Sequence, residues 1–178
     1  GSWNSLLFTC KYPSEKIINE LLSNNIFFTS TTLPELTEGI GNHILTNYND
    51  DDFQLKHLYI SVSKLNLLRF KPQIMYNFTD LNDAVGGCLS SSYIPFVTSK
   101  FRKMPINNII MDGGINGFPP KKVETYLNIY PSMWGKEFKV GSGFKYPSNN
   151  DYFTDMYLEG YQDAKKNKRT LDEYFKKI

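Results

Sequence analysis

The residue of this sequence best placed to do chemistry is Asp112. It follows a short run, residues 108–111, in which three of the four side chains are apolar, and it precedes Gly113 and Gly114. In α/β sheets, ligands bind beyond the carboxyl ends of the strands. The two glycines allow a tight turn, and their amides can hydrogen-bond a carboxylate and hold it ionised, as a general base requires. This pattern indicates a catalytic aspartate, and the alternative is an ordinary Asp-Gly turn.

The elements that would position Asp112 can be predicted from the same part of the sequence. The apolar run 108–111 is typical of a buried strand in a parallel sheet. Upstream, residues 57–65 alternate as a strand with Leu58, Ile60 and Val62 on one face. A second strand is expected around residues 73–78. A helix over 81–90 follows, capped by Thr79 and Asp80.

The rest of the chain adds further helices and one further strand. Residues 2–10 are apolar and predict a buried helix, and Ser14 is predicted to cap an amphipathic helix that ends near residue 23. A helix is expected over 33–46 and a polar loop over 47–52. Beyond Asp112 the sequence predicts a strand over 123–130, a loop over 138–148, a helix over 151–166 and a short basic segment over 170–178. Helices alternating with apolar strands indicate the α/β class.

Composition excludes several kinds of protein. The 178 residues carry a net charge of +2, which argues against a nucleic-acid partner. No apolar run reaches ~18 residues, and no stretch has the layout of a signal peptide, so a transmembrane or secreted protein is not expected. Two cysteines are too few for a disulfide scaffold or a zinc site, so a reducing, intracellular compartment is expected.

The segment from Phe78 to Pro119 resembles the C-terminal half of patatin-like acyl hydrolases. In that family a helix with acidic residues near its start is followed by Ala-Ser-x-x-x-Pro, a short strand, and then Asp-Gly-Gly with a nearby proline. The matching residues here are Phe78, Leu81, Asp83, Ala84, Val85, Ser90, Ser91, Ser92, Tyr93, Ile94, Pro95, Phe96, Met111, Asp112, Gly113, Gly114, Ile115 and Pro119. The Tyr-Ile-Pro-Phe element and residues 160–164 look most like the adipose triglyceride lipase and adiponutrin branch. The strand at 58–63 is similar to the family strand that crosses the sheet before this segment.

The resemblance implies a fold, an activity and partners. The fold would be a three-layer α/β/α sandwich with a mostly parallel central sheet, present in part: residues 1–166 would be the C-terminal part of the domain and 167–178 a basic helix or tail. The activity would be hydrolysis of glycerolipid or phospholipid acyl esters by a Ser-Asp dyad. Asp112 would be the general base, and Gly113, Gly114 and Pro95 would shape the site. The mechanism requires no cofactor and no metal.

The sequence departs from the family pattern at its start. It contains no Gly-x-Ser-x-Gly and no glycine-rich oxyanion loop ahead of it, although the mechanism needs both. Residues 1–7 look like the apolar helix that follows the nucleophile. Gly1 is therefore either the closing glycine of that motif or, with Ser2, a remnant of cloning. The chain alone should be inactive, and the competing interpretation is a non-catalytic patatin-like module that binds a lipid surface or a protein.

Other nucleophiles and bases within the chain are less favoured. Ser90, Ser91 and Ser92 are expected to pack against the strand that bears Asp112. A triad using His43 or His57 is conceivable, but surface or packing roles are favoured. Cys88 is expected to be a small core residue.

Basic and aromatic residues raise the question of a lipid surface. Lys121 and Lys122, together with six basic residues between 165 and 177, could steer the protein to anionic headgroups, or they could be solvated. Phe118, Trp134, Phe138 and Phe144 could form an interfacial patch or close the core. A cytoplasmic location, with peripheral contact to a membrane or lipid droplet, is the resulting expectation.

Overall fold

The computed structural model of the protein describes residues 1–30, 32–66, 69–94, 110–116, 134 and 152–175. The chain divides into two compact units, Gly1–Pro120 and Lys121–Ile178. The first unit contains both helices and strands, and it carries Asp112. The division expected at residue 166 stays a prediction. The predicted strand at 123–130, the loop at 138–148 and Pro95 lie outside the described residues.

The first unit is a mixed α/β structure. Its helices are α1 (Ser2–Phe8), α2 (Ser14–Ser23), α3 (Ile26–Thr29), α4 (Leu33–Asn47) and α5 (Leu81–Ser91). Short 3-10 turns cover Asp50–Asp52, Leu55–His57 and Gly113–Asn116. The helices predicted over 2–10, 33–46 and 81–90 are thus present with small shifts at their ends.

Among the described residues of this unit, three strands form a sheet. They are β1 (Ile60–Asn66), β2 (Arg69–Met75) and β3 (Ile110–Asp112), in the order β2-β1-β3. β1 pairs antiparallel with both neighbours. The expected parallel neighbours are therefore not found among the described strands. The pattern of 108–111 correctly indicated a strand at its described end, although in β3 only Met111 is buried and its two neighbours are half-buried. Burial does not determine strand direction.

β1 and β2 form a hairpin, which explains why β2 begins earlier in the sequence than predicted. Asn66 pairs with Arg69, so only two residues separate β1 from β2, and a connection of that length joins antiparallel strands. Pairing with β1 continues to Ile60 opposite Met75. The strand predicted around 73–78 is therefore displaced toward the N-terminus, because cross-strand hydrogen bonding and not local alternation sets its bounds.

The core lies between β1 and the helices. Leu58, Ile60 and Val62 are all buried, which confirms the predicted face. They pack with Ala84, Val85 and Cys88 of α5 in one hydrophobic cluster. Ser63, predicted to lie on the other face, is also fully buried. Its cross-strand partner Met111 of β3 is buried too, so the second face is also covered at this point of the sheet.

The structure confirms the predicted N-cap of α5 but not that of α2. The Asp80 carboxylate accepts a hydrogen bond from the Asp83 amide at 2.7 Å, as expected of an N-cap. Ser14, predicted to cap α2, is instead its first helical residue, and Pro13 occupies the N-cap position without a side-chain hydrogen bond. Proline's fixed φ suits the entry to a helix, so it displaces the serine by one position.

Apart from Trp134, the described residues of the second unit form two helices. α6 spans Tyr152–Lys166 and α7 spans Lys168–Phe175. On α7, Lys168 pairs with Asp172 and Arg169 with Glu173, each four residues apart. Within the described residues, no helix combines the length and apolar character needed to cross a membrane.

Candidate functional site

Asp112 is the last residue of β3, at the carboxyl end of the strand. It pairs across the sheet with Val62. Because directly paired residues of antiparallel strands point to the same face, Asp112 shares the face of β1 that packs against the helices. Its amide donates to the carbonyl of Tyr93 at 2.8 Å, just beyond the end of α5. The backbone of Asp112 is thus held between β1 and the segment that leaves α5.

The carboxylate of Asp112 is oriented by the turn that follows. The Gly114 amide donates to Oδ1 at 2.6 Å. The residue is half-buried. Among ion pairs formed between described residues, none involves Asp112. Within the described part of the chain, the side chain therefore takes its orientation from its own turn.

Gly113 has no space for a side chain. A Cβ atom at this position would lie 2.5 Å from the carbonyl oxygen of Ser61. The same oxygen accepts a hydrogen bond from the Ser91 hydroxyl at 2.9 Å. The turn after Asp112 is therefore pressed against the backbone of β1, and α5 is tied to that backbone at the same atom. This close approach is a physical reason for glycine directly after Asp112.

The serines near Asp112 behave as packing residues. Ser91 donates to Ser61 as described, and the Ser90 hydroxyl donates to the Gly86 carbonyl one turn earlier in α5, at 2.8 Å. Both hydroxyl groups thus hydrogen-bond to backbone carbonyls. A structural role for these two serines agrees with the expectation, but the hydroxyl groups bond to β1 and to α5 itself and not to β3, the strand that bears Asp112.

The two histidines occupy different environments. His57 is exposed at the end of the 3-10 turn Leu55–His57. His43 is buried on α4, and its Nε2 lies 3.4 Å from Oε2 of Glu20. Its Nδ1 lies 3.3 Å from Nδ2 of Asn47. The partners of His43 come from α2 and α4, so the described contacts do not link it to Asp112.

A second polar group of residues is not predicted by the sequence. Glu20, His43, Asn47 and Tyr48, here called the Glu20 cluster, join α2 to the end of α4. The Tyr48 hydroxyl donates to Oε2 of Glu20 at 2.5 Å, beside the histidine contact. Lys16 lies one helical turn before Glu20, with its Nζ 4.0 Å from Oε1. One carboxylate therefore contacts two buried side chains that lie far away in the sequence.

The electrostatics of the cluster follow from these contacts. The hydrogen bond from Tyr48 lowers the pKa of Glu20, and the contacts with His43 and Lys16 act in the same direction. Burial, reinforced by the hydrogen bond to Glu20, raises the pKa of Tyr48 well above its ordinary value. The carboxylate is thus stabilised as an anion and the phenol is kept protonated as its donor.

No sequence pattern could have revealed the cluster. Glu20 is separated from His43 by 23 residues and from Tyr48 by 28. Each residue alone is an ordinary polar position on an amphipathic helix or at its end. The one feature that the sequence offers is a histidine on a helix expected to be amphipathic, and this feature does not identify the partners of the histidine.

The burial of Cys88 supports its predicted role as a small core residue. Cys88 is fully buried in α5, and its thiol donates to the Ser2 carbonyl at 3.5 Å. Burial raises the pKa of Cys88 to about 12. A thiol in this state is not a nucleophile at neutral pH, so its role is packing between α1 and α5.

Among the described residues, no group of three or more histidine, cysteine, aspartate or glutamate side chains is placed to hold a metal ion.

Comparison with known proteins gave no match for this chain, whether to protein-family models, to curated proteins or to solved structures. The patatin resemblance therefore depends on the motifs alone.

Proposed function

We propose that this chain is the general-base part of a patatin-like acyl hydrolase that acts on glycerolipid or phospholipid esters. The observation that supports the proposal is the placement of Asp112. It ends the partly buried strand β3, its carboxylate is oriented by the Gly114 amide, and the turn after it admits only glycine at position 113. The nucleophilic serine would lie outside this chain.

The proposed reaction uses two residues. Asp112 removes the proton from the serine hydroxyl as the serine oxygen attacks the ester carbonyl carbon. The proton passes to the alcohol oxygen as the carbon–oxygen bond to the glycerolipid breaks, which leaves an acyl-serine. Water, deprotonated by Asp112, then attacks the acyl carbon. The bond between that carbon and the serine oxygen breaks, and the proton passes from Asp112 to the serine oxygen, which releases the fatty acid and restores the serine. Neither step needs a metal or a cofactor.

The finer architecture belongs to the same proposal. A three-layer patatin-type sandwich would place the helices of the first unit on one face of a larger sheet. The antiparallel pairs of β1 with β2 and β3 would then be the antiparallel portion of a mixed sheet, a common arrangement in large α/β domains. Peripheral contact with a membrane or lipid droplet would follow from such substrates.

The test is Asp112→Asn in the full-length natural protein, with a short-chain p-nitrophenyl ester as substrate. Removing a general base should lower kcat about 10²- to 10⁴-fold. The matched control is Asp155→Asn, the same change at an exposed position of α6. Both variants should unfold cooperatively in urea, so that loss of activity is separated from loss of fold.

Three outcomes would contradict the proposal. Full activity in the Asp112→Asn variant would show that the dyad assignment is wrong. Absence of ester hydrolysis in the unmodified full-length protein would favour the non-catalytic lipid-surface or protein-binding module instead. Activity in the isolated chain, lost on His43→Ala or His57→Ala, would indicate a histidine-dependent hydrolase.

A further inference from the structure

The hairpin formed by β1 and β2 carries basic residues that no acidic residue interrupts. The sequence contains no aspartate or glutamate over residues 53–79. At the connected end of the hairpin, Arg69 and Lys71 are exposed on β2, and Lys64 is half-buried on β1. Among ion pairs between described residues, none involves these three side chains. Within the described part of the chain, their charges are therefore not offset by an ion pair.

The strand register separates these charges from an apolar face. Lys64 is paired with Lys71, and paired residues of antiparallel strands share a face. Arg69 lies two residues from Lys71 and so belongs to the same face. Leu65 and Phe70 form the neighbouring pair on the opposite face, where Phe70 is 36% exposed. The connected end of the hairpin is therefore amphipathic.

The sequence of the connection adds to this apolar character. The two residues between the strands are both leucine. A hairpin connection of two residues ordinarily contains glycine, asparagine or aspartate, which suit the backbone of a tight turn. The composition at this end of the hairpin is thus more apolar than turn formation requires.

Exposed apolar residues beside basic ones are typical of segments that lie on an anionic bilayer. Apolar side chains enter the interface, and long basic side chains reach the headgroups even from the opposite face. Basic residues and Pro72 on an outer strand could also prevent pairing with other chains. That role does not require an exposed phenylalanine between two basic residues, whereas lipid contact uses both kinds of side chain.

The basic residues of α7 are the other described candidate for lipid contact, and their charges are offset. Lys168 is paired with Asp172, and Arg169 with Glu173. No further charged residue lies on α7, so this helix has no net charge. The hairpin end therefore has the better charge complementarity to an anionic surface.

The hairpin end also lies close to the candidate catalytic carboxylate. Asp112 pairs with Val62 of β1. Lys64 is two residues further along the same face of β1, about 7 Å along the strand. A lipid surface bound at this end of the hairpin would thus be near the proposed site of acyl hydrolysis.

From the unopposed basic charge, the amphipathic register and the exposed ring, we propose that the connected end of the β1–β2 hairpin binds the surface of an anionic phospholipid bilayer. Phe70 enters the interface, and Arg69 and Lys71 contact the headgroups. The lipid surface as partner rests on the proposed function, but the binding itself requires no ester hydrolysis.

The experiment is cosedimentation of the full chain with vesicles of phosphatidylcholine and phosphatidylserine in equal amounts, and with phosphatidylcholine vesicles. The mixed vesicles should bind more strongly, and high salt should weaken that binding. Arg69→Gln combined with Lys71→Gln should lower the partition coefficient about 30-fold, since each basic residue contributes roughly fivefold. Lys168→Gln with Arg169→Gln, the matched double change on α7, should change it about twofold or less, because carboxylates already offset those charges.

Phe70→Ala tests the apolar face. It should lower the partition coefficient about tenfold, because the ring no longer enters the interface. Phe8→Ala is the matched control, since Phe8 is 71% exposed on α1 and not on the hairpin, and vesicle binding should be unchanged. Far-UV circular dichroism of each variant should match that of the unmodified chain, so that loss of binding is separated from loss of fold.

A second readout separates this inference from the proposed function. In the full-length natural protein, the Arg69 and Lys71 double variant should still hydrolyse a soluble p-nitrophenyl ester. Vesicle binding without any ester hydrolysis would support the hairpin surface and contradict the proposed function alone.

Four results would overturn the hairpin proposal. One is equal or absent binding of the two kinds of vesicle. Another is loss of binding in the α7 double variant with binding retained in the hairpin double variant. A third is an equal effect of Phe8→Ala and Phe70→Ala. The fourth is binding of a single-stranded RNA oligonucleotide, lost in the hairpin double variant, by a chain that does not bind the mixed vesicles.

Discussion

The Asp112 turn and the Glu20 cluster hold their carboxylates in different ways. Asp112 is oriented by an amide two residues away, on a backbone pressed against β1. Glu20 is oriented by side chains 23 and 28 residues away in the sequence. The first arrangement depends on backbone contact and tolerates almost no added volume. The second depends on side-chain hydrogen bonds, so the loss of stability should depend on how many of those bonds a substitution removes.

The two ways of holding a carboxylate also suit different functions. A carboxylate held by backbone groups keeps its position when nearby surface side chains change, which suits a catalytic base. A carboxylate held by several side chains joins elements and shapes a cavity between them. Substitutions that add volume should therefore damage the first region most, and substitutions that remove polar groups should damage the second.

The largest expected effect is that of Gly113→Ala. Its Cβ would meet the Ser61 carbonyl at 2.5 Å, so backbone must move, and the free energy of unfolding should fall by about 3 kcal/mol. The measurement is urea unfolding followed by Trp3 fluorescence in a Trp134→Phe background, which leaves one tryptophan.

Gly114→Ala is the matched control for that change. Its Cβ would lie 3.0 Å from Oδ1 of Asp112, the mobile end of a side chain, so stability should fall by about 1 kcal/mol or less. The displaced carboxylate should nevertheless reduce ester hydrolysis by the full-length protein. Equal destabilisation by the two alanines would show that backbone contact at Gly113 does not hold the turn.

A smaller effect is expected for Glu20→Gln. The amide oxygen can still accept from Tyr48 and His43, but the charge that strengthens both hydrogen bonds is lost. The free energy of unfolding at pH 7 should fall by about 1 kcal/mol or less, since the carboxylate is partly exposed and solvent screens it. Glu15→Gln, at an exposed position on the same helix, should cost only a few tenths of a kcal/mol.

The lowered pKa of Glu20 determines how the destabilisation caused by Glu20→Gln varies with pH. The pKa of Glu20 is lowered in the folded protein, so its contribution is fully present above the ordinary glutamate value of about 4.3. That contribution is lost as the pH falls through the lowered folded value. The stability gap between the unmodified protein and Glu20→Gln should therefore close in acid. A gap that stays constant from neutral pH down through that lowered value would contradict the assigned hydrogen bonds.

The smallest effect is a gain from Gly86→Ala. Gly86 is exposed in α5, and a Cβ there would have no neighbour within 4 Å. Replacing a helical glycine with alanine should raise the free energy of unfolding by about 0.5–1 kcal/mol. Activity of the full-length protein should be unchanged, because α5 supports the Asp112 turn without contacting it through Gly86.

The adjacent glycine provides the contrast. A Cβ on Gly87 would lie 2.9 Å from the ring of Phe78, which is buried, so Gly87→Ala should destabilise the protein. If both alanines stabilise α5 equally, the packing of Phe78 against α5 is looser than the geometry indicates.

Helices and core faces are predictable from the sequence because their signals are local. The spacing of Ile17 and Leu21 indicates α2, and alternation at Leu58, Ile60 and Val62 identifies the buried face of β1. The direction of β3 is not predictable, since an apolar run reports burial alone. The start of β2 differs from its prediction because its bounds depend on hydrogen bonds to β1.

For the candidate sites, the order of amino acids establishes which residues are neighbours along the chain. Asp112, Gly113 and Gly114 are contiguous, so a carboxylate on a glycine turn can be recognised from adjacency alone. The contact of Ser61 with Gly113 is visible in the folded protein alone, and so are the contacts of Glu20 with His43 and Tyr48. The physical reason is range: backbone conformation depends on neighbouring residues, whereas contacts between distant residues exist only after the core has packed.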